Sequence, residues 1–183
     1  FFTESDIEKI NKEVKIHVDQ DAQWADEQDH PAVETALAHV YSADGQPAET
    51  ELVPITEKVV LVDAINHALH EEMAYNDKMM VYGQDIADPK GGVFTATRGL
   101  STAFGTERVF NSPLAESSII GTAVGMAVTG YKPVVEIQFG DYIWTAMMQL
   151  RNEVVTMRYR SNNAWSCPFV IRVPVGGYIH GSL

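Results

Sequence analysis

The chain has 183 residues, 45% of them hydrophobic, with a mean hydropathy of -0.10, enough for one domain of ordinary size or a domain with a tail, and no stretch approaches the ~18 apolar residues of a helical membrane span. A single cysteine, Cys167, excludes a disulfide scaffold and a multi-cysteine metal site and suits a reducing compartment. Thirteen Lys and Arg stand against 25 Asp and Glu, a net charge of -12, and no basic cluster offers a nucleic-acid face.

The charge is uneven along the chain. Residues 1–54 hold 13 acids and 3 bases, a net of -10, whereas residues 55–183 hold 12 acids and 10 bases, a net of -2. The chain starts without Met and without a basic-then-apolar leader. The simplest expectation is a segment of a longer protein.

The first stretch reads as helix. Thr3 or Ser5 can cap it, Asp6 and Glu8 suit its first turn, and Ile7, Ile10, Val14, Val18 and Ala22 fall at helical spacing until Pro31 stops the pattern. A short second helix is expected over Glu34–Val40. Tyr41–Pro54, with Gly45, Pro47 and Pro54, reads as a linker. Thr56 then offers an N-cap for a helix through Val59, Val62, Ile65, Leu69 and Met73.

Met79–Gly83 is a short apolar run expected as a buried strand, followed by a loop over Gln84–Thr97. A short helix over Arg98–Phe104 closes at Gly105, and Val109-Phe110 forms a very short strand. Glu116–Thr129 reads as a helix ended by Gly130. Pro133–Gln138 is a strand, Asp141–Arg160 a long helix and Phe169–Val173 a last strand. Alternating strands and helices predict an α/β fold with an open, mostly parallel sheet flanked by helices. Its strands lack alternation, as expected where helices cover both faces. Ligands of such sheets bind beyond the carboxyl ends of strands, here the turns after Phe110, Gln138 and Val173.

Within those turns, Asn111-Ser112-Pro113-Leu114-Ala115-Glu116 places a carboxylate at the mouth of a helix with no charged residue from Ser117 to Thr129. Such a helix is expected to be buried all round. Burial would raise the Glu116 pKa and favour a shared proton; the helix N-terminus would pull the other way. Glu116 is therefore either a proton-sharing group or a first-turn acid placed to suit the dipole. Gly121, Gly125 and Thr129 share one face, giving either a close helix–helix seam or packing within the chain. Gln138 and Tyr142 combine donor, acceptor and ring, which suits an aromatic heterocycle or simply a core edge. His180 follows a Gly pair and reads as a loop residue. No phosphate-binding glycine motif, metal-spaced cluster or nucleophile elbow is present.

From about Thr56 onward the chain resembles the beta subunit of thiamine-diphosphate-dependent 2-oxo acid dehydrogenases. The matching runs are Val81-Tyr82-Gly83-Gln84-Asp85, Gly91-Gly92-Val93-Phe94, Arg98-Gly99-Leu100, Arg108-Val109-Phe110-Asn111, Pro113-Leu114-Ala115-Glu116, Glu136-Ile137-Gln138-Phe139, Asp141-Tyr142-Ile143 and Arg158-Tyr159-Arg160-Ser161. Gly-Gly-Val-Phe, and Glu-Ile-Gln-Phe followed by Asp-Tyr-Ile, are more similar to the branched-chain members. Trp24-Ala25-Asp26-Glu27 through Ala38-His39-Val40-Tyr41 resembles the tail of the alpha subunit. The resemblance implies a fused alpha-beta polypeptide, with residues 1–54 an alpha-type tail and linker and 55–183 a transketolase-type pyrimidine-binding domain truncated at its C-terminal side.

The same resemblance implies site roles. Glu116 stands where the family hydrogen-bonds the aminopyrimidine of thiamine diphosphate, and Leu114, Gln138 and Tyr142 line that ring. The carboxylate would share a proton with a ring nitrogen. The exocyclic nitrogen could then deprotonate the thiazolium carbon that attacks the 2-oxo carbonyl, and the acyl unit would pass to a lipoyl group on a partner acyltransferase. The Mg²⁺ and diphosphate motif belongs to the alpha part and is not found here. His180 is not the substrate-step histidine of the branched-chain relatives, and no potassium ion is expected within this segment. An inactive isolated segment, a homo-oligomeric parent and a cytoplasmic location are expected. The alternatives are a pyruvate or acetoin dehydrogenase, a transketolase-like enzyme, or a non-catalytic assembly module of the same fold.

Overall fold

A computed structural model describes residues 2–43 and 58–176. The chain divides into two compact units between Ala38 and His39. The expected boundary near residue 54, the Thr56 cap and His180 lie outside the described residues.

The first unit is built on helix α1, Glu4–Asp26. Of the two candidate caps, Thr3 takes the role in a reciprocal capping box: the Asp6 N–H donates to Thr3 Oγ1, and the Thr3 N–H donates to Asp6 Oδ2. Ile7, Ile10, Val14 and Val18 form the expected stripe, yet each is exposed in this unit. The second helix is a single 3₁₀ stretch, Val33–Leu37.

The second unit starts its regular structure at α2, Leu61–Tyr75, so Val59 lies outside the helix. Strand β1 is Met79–Gly83 and β2 is Val109–Asn111, with helix α3, Leu100–Phe104, between them. Helix α4, Glu116–Val128, leads to β3, Lys132–Glu136; the last strand, β4, is Val170–Arg172. The four strands are parallel in the order β2-β1-β3-β4. This gives the α/β sheet expected from the sequence.

Successive side chains of a strand point to opposite faces, and both faces of this sheet are covered. Met79, Val81 and Val109 pack with Leu69, Met73 and Leu100 beneath α2 and α3. Tyr82 and Val135 pack with Ile119, Ile120, Ala123 and Ala146 on the other side. Complete burial of a side chain such as Ile120 contributes about 1.5–3 kcal/mol. The Tyr82 hydroxyl donates to the Ile119 carbonyl at 2.9 Å, binding the sheet to α4. Arg108 ties the end of α2 to the start of β1 through the carbonyls of Met73, Asn76 and Met79. Helix α4 ends in a Schellman motif: Gly130, at φ 95°, donates to Ala127, and Tyr131 to Met126.

Two expectations are corrected. Helix α4 is not buried all round: Ile119, Ile120, Ala123, Val124 and Ala127 face inward, whereas Ser118, Gly121, Thr122 and Gly125 are exposed. Lack of charge reflects small residues on the open face rather than cover. Asp141–Arg160 is not one helix but 3₁₀ over Gly140–Ala146, α over Met147–Gln149, π over Leu150–Val154 and α over Met157–Arg160. The Thr156 hydroxyl donates back to the Asn152 carbonyl, and the Thr145 hydroxyl lies 2.8 Å from the Tyr142 carbonyl. Such back-bonding, with β-branched Ile143, Val154 and Val155, works against regular α winding.

Candidate functional site

In the strand order β2-β1-β3-β4, the chain leaves β1 toward β2 and leaves β3 toward β4. The carboxyl ends of β1 and β3 therefore flank the switch in winding direction, where open α/β sheets form their ligand crevice. Gln84 follows β1 and Gln138 follows β3, one on each side. Helix α4 starts at Glu116 after β2 and brings its first turn to the same end.

The side chains there form one network. Gln84, 5% exposed, donates through Nε2 to Glu116 Oε1 at 3.0 Å. Gln138 Nε2 reaches the Gln84 carbonyl at 3.5 Å. Thr145 Oγ1 lies 2.9 Å from Glu116 Oε2 and 2.8 Å from the Tyr142 carbonyl. Ser117 Oγ donates to the Thr145 carbonyl, so α4 holds Thr145 at two points. The half-buried Tyr142 ring packs against the core cluster between α4 and the sheet and meets Phe139 edge-on at 5.6 Å.

Glu116, Gln138 and Tyr142 are thus linked through Gln84 and Thr145. Leu114 sits in the turn before Glu116, 84% exposed, and is not part of the hydrogen-bonded network. The reading of the sequence missed Gln84 and Thr145 as site residues. The signal for Gln84 was present, a polar side chain directly after a buried strand. Thr145 carries no local signal, because its partner is 29 residues away.

At the Glu116 carboxyl both opposing influences expected from the sequence are present. Burial raises its pKa, but hydrogen bonds from its own backbone N–H, Gln84 and Thr145 outweigh it, and the carboxyl sits below its ordinary range. Two carboxylate oxygens offer about four lone-pair sites. The side chains of Gln84 and Thr145 meet one oxygen each, which leaves acceptor capacity for a further donor such as a ring N–H. Such a carboxylate, with Gln138 one link away through the Gln84 carbonyl, can accept from the polar edge of a heterocycle.

A second cluster braces the same strand ends. Glu136 and Arg172 are register partners on β3 and β4 and form an ion pair, with Glu136 only 2% exposed. Glu136 Oε1 accepts the Val93 N–H at 2.9 Å, and Arg172 Nη2 donates to the Val93 carbonyl at 3.1 Å. Val93 starts a short 3₁₀ turn in which Phe94 and Thr95 have φ of 56° and 62°, a region costly for side-chain-bearing residues. A Cβ at Gly92 would lie 2.7 Å from Thr97 Oγ1 and 3.3 Å from both Glu136 oxygens. The Gly91-Gly92-Val93-Phe94 run is therefore a fitted loop clamped by a buried pair.

Residues 57–182 match the family described as transketolase, pyrimidine binding domain. The 2-oxoisovalerate dehydrogenase subunit beta of Bacillus subtilis is 51% identical over 122 residues, 67% of this chain and 37% of the relative. The pyruvate dehydrogenase E1 component subunit beta of Leifsonia xyli is 41% identical over 133 residues, covering 73% and 39%. The 3-methyl-2-oxobutanoate dehydrogenase subunit beta of Mycobacterium tuberculosis is 39% identical over 146 residues, covering 78% and 42%. The chain thus spans about two fifths of the length of these relatives. With its parallel sheet and its carboxylate at the β1/β3 crevice, the chain belongs to the transketolase pyrimidine-binding domain family, in the form found in 2-oxo acid dehydrogenase beta subunits.

Proposed function

We propose that this chain is the pyrimidine-binding part of the decarboxylating component of a 2-oxo acid dehydrogenase complex, acting on a branched-chain 2-oxo acid and acylating a lipoyl group of a partner acyltransferase. The observation that carries this reading is Glu116, a carboxylate at the switch crevice held by Gln84 and Thr145 with acceptor capacity left over. Higher identity to the 2-oxoisovalerate enzyme of B. subtilis than to the pyruvate enzyme of the same species, 51% against 42%, favours the branched-chain class. Thiamine diphosphate supplies the electron sink for decarboxylation when bound. Glu116 holds the proton at the ring nitrogen, and Leu114, Gln138 and Tyr142 bound the ring. Gln84 and Thr145 keep the carboxylate oriented. An alpha-type domain holds the diphosphate and Mg²⁺, and residues 1–54 are the tail of such a part in a fused, homo-oligomeric, cytoplasmic parent.

The test is Glu116→Gln in the assembled enzyme. Gln preserves shape and hydrogen bonding but cannot take the proton. Loss of a proton-transfer partner costs ~10²–10⁴ in rate, and the readout is hydrogen–deuterium exchange at the thiazolium carbon of bound thiamine diphosphate. Exchange as fast as in the parent would overturn the assignment. If Glu116 only suited the helix dipole, the variant would lose about 0.3–1 kcal/mol of stability and keep its chemistry.

A further inference from the structure

Thr145 is exposed, and its hydroxyl has one proton and two acceptors at hydrogen-bond distance, Glu116 Oε2 at 2.9 Å and the Tyr142 carbonyl at 2.8 Å. It can satisfy only one of them at a time. Its position is set independently of that choice, because Ser117 Oγ donates to the Thr145 carbonyl. Glu116 Oε1 is already engaged by Gln84, so Oε2 is the oxygen at which a change of protonation is felt.

We propose that Thr145 is a positioning residue for Glu116: its hydroxyl donates to the carboxylate while Glu116 is ionised and turns to the Tyr142 carbonyl when Glu116 takes up a proton. In the second state the proton on Oε2 stays on the carboxyl and hydrogen-bonds to Thr145 Oγ1, while the threonine O–H rotates to donate to the Tyr142 carbonyl. Both states are hydrogen-bonded, but the bond to the charged carboxylate is the stronger, so the hydroxyl favours ionised Glu116. The titration of Glu116 is thereby coupled to the backbone that carries Tyr142. Gln84 and Ser117, which contact the same two residues, are neutral; the titratable groups on the flanking segments are Tyr82 and Asp85 on the β1 side and Asp141 and Tyr142 on the Thr145 segment. The proposal deepens the thiamine-diphosphate reading and rests on it for its catalytic meaning.

The experiment uses the full-length protein without thiamine diphosphate. Glutamate carboxyls are labelled with ¹³C, the Glu116 signal is assigned by its loss in Glu116→Gln, and the signal is titrated by NMR. Thr145→Val and Thr145→Ala raise the Glu116 midpoint by about half a pH unit or more, while Thr145→Ser stays near wild type. A midpoint unmoved in Val and Ala, or moved equally in Ser, overturns the proposal. In the loaded enzyme the acid limb of thiazolium exchange shifts upward with Val and returns with Ser; a purely structural Thr145 would lower the rate at every pH alike. Because the titration is read without cofactor, its failure is separable from failure of the Glu116→Gln exchange test.

Discussion

Glu136→Gln tests whether the buried clamp holds the Val93 loop. The substitution keeps the shape and leaves an acceptor for the Val93 N–H, but it removes the charge facing Arg172. Arg172 has a side chain only 16% exposed; burial already pulls its pKa below the ordinary guanidinium value. Removing one partner of a buried pair costs ~3–5 kcal/mol. The Arg172 bond to the Val93 carbonyl survives, which places the expected loss near the low end, about 3 kcal/mol. Against a domain stability of about 5–15 kcal/mol that is a large fraction. Arg172→Met should cost a similar amount by stranding Glu136. The double variant strands neither charge, so its loss should fall well short of the two single losses added together. Urea unfolding of the four proteins at neutral pH gives the cycle, with equal m-values required for comparison. A single-variant loss below about 1 kcal/mol, or strict additivity, would refute the clamp. Hydrogen exchange at the Val93 amide should rise in both single variants while the β1 amides stay protected.

The remaining predictions concern other elements. The Asp88 carboxylate accepts bonds from the Gly99 N–H and from Thr102 and Ser101, and these donors hold its pKa at about 2 against the opposing effect of burial. A depressed folded pKa contributes stability that is present above the unfolded value of about 3.9 and lost as pH falls through the folded one. The stability gap between wild type and Asp88→Asn should therefore shrink from about pH 4 to pH 2; a gap constant across that window in denaturant titrations would contradict it. At Gly125 an added Cβ meets nothing within 4 Å, so Gly125→Ala should stabilise the chain by about 0.5–1 kcal/mol through helix propensity. A destabilised variant in thermal unfolding would show instead that the Ser118–Gly125 face is covered.

Much of the fold was legible because its signals are local. Met79–Gly83 and the valine-rich run before Ile137 are buried strands of β-branched and apolar residues, and Gly130 marks the end of α4 as a left-handed stop. The Asp141–Arg160 stretch was misread because composition does not reveal hydroxyls that bond back to carbonyls three or four residues earlier. The site was legible in part. Glu116 and Gln138 lie at strand ends and carry suitable chemistry. Their brackets, Gln84, Thr145 and the Glu136–Arg172 pair, arise from positions about 30 to 80 residues apart, a distance at which one sequence has no pattern to read. The sequence left the direction of the Glu116 pKa open for the same reason: burial can be guessed from a neighbourhood, whereas the donors Gln84 and Thr145 cannot.

The parallel sheet also sets a schedule for synthesis. β1 pairs first with β2, Val81 opposite Val109, and only later with β3, Met79 opposite Lys132. Those last two residues are 53 positions apart along the chain. At about 5–20 residues per second on the ribosome, β1 has emerged roughly 3–10 s before its second neighbour exists. At the start of that interval Tyr82, destined to be 2% exposed, has neither the α4 carbonyl for its hydroxyl nor β3 at its side; α4 is made first. The nascent strand presents an open edge, the state in which pairing with another chain competes with folding. Gly83, whose close approach to the Glu136 carbonyl tolerates no Cβ at 2.6 Å, can settle into place only when that strand arrives. Final closure of the crevice is thus a late event, reached after both of the strands that flank it have been made.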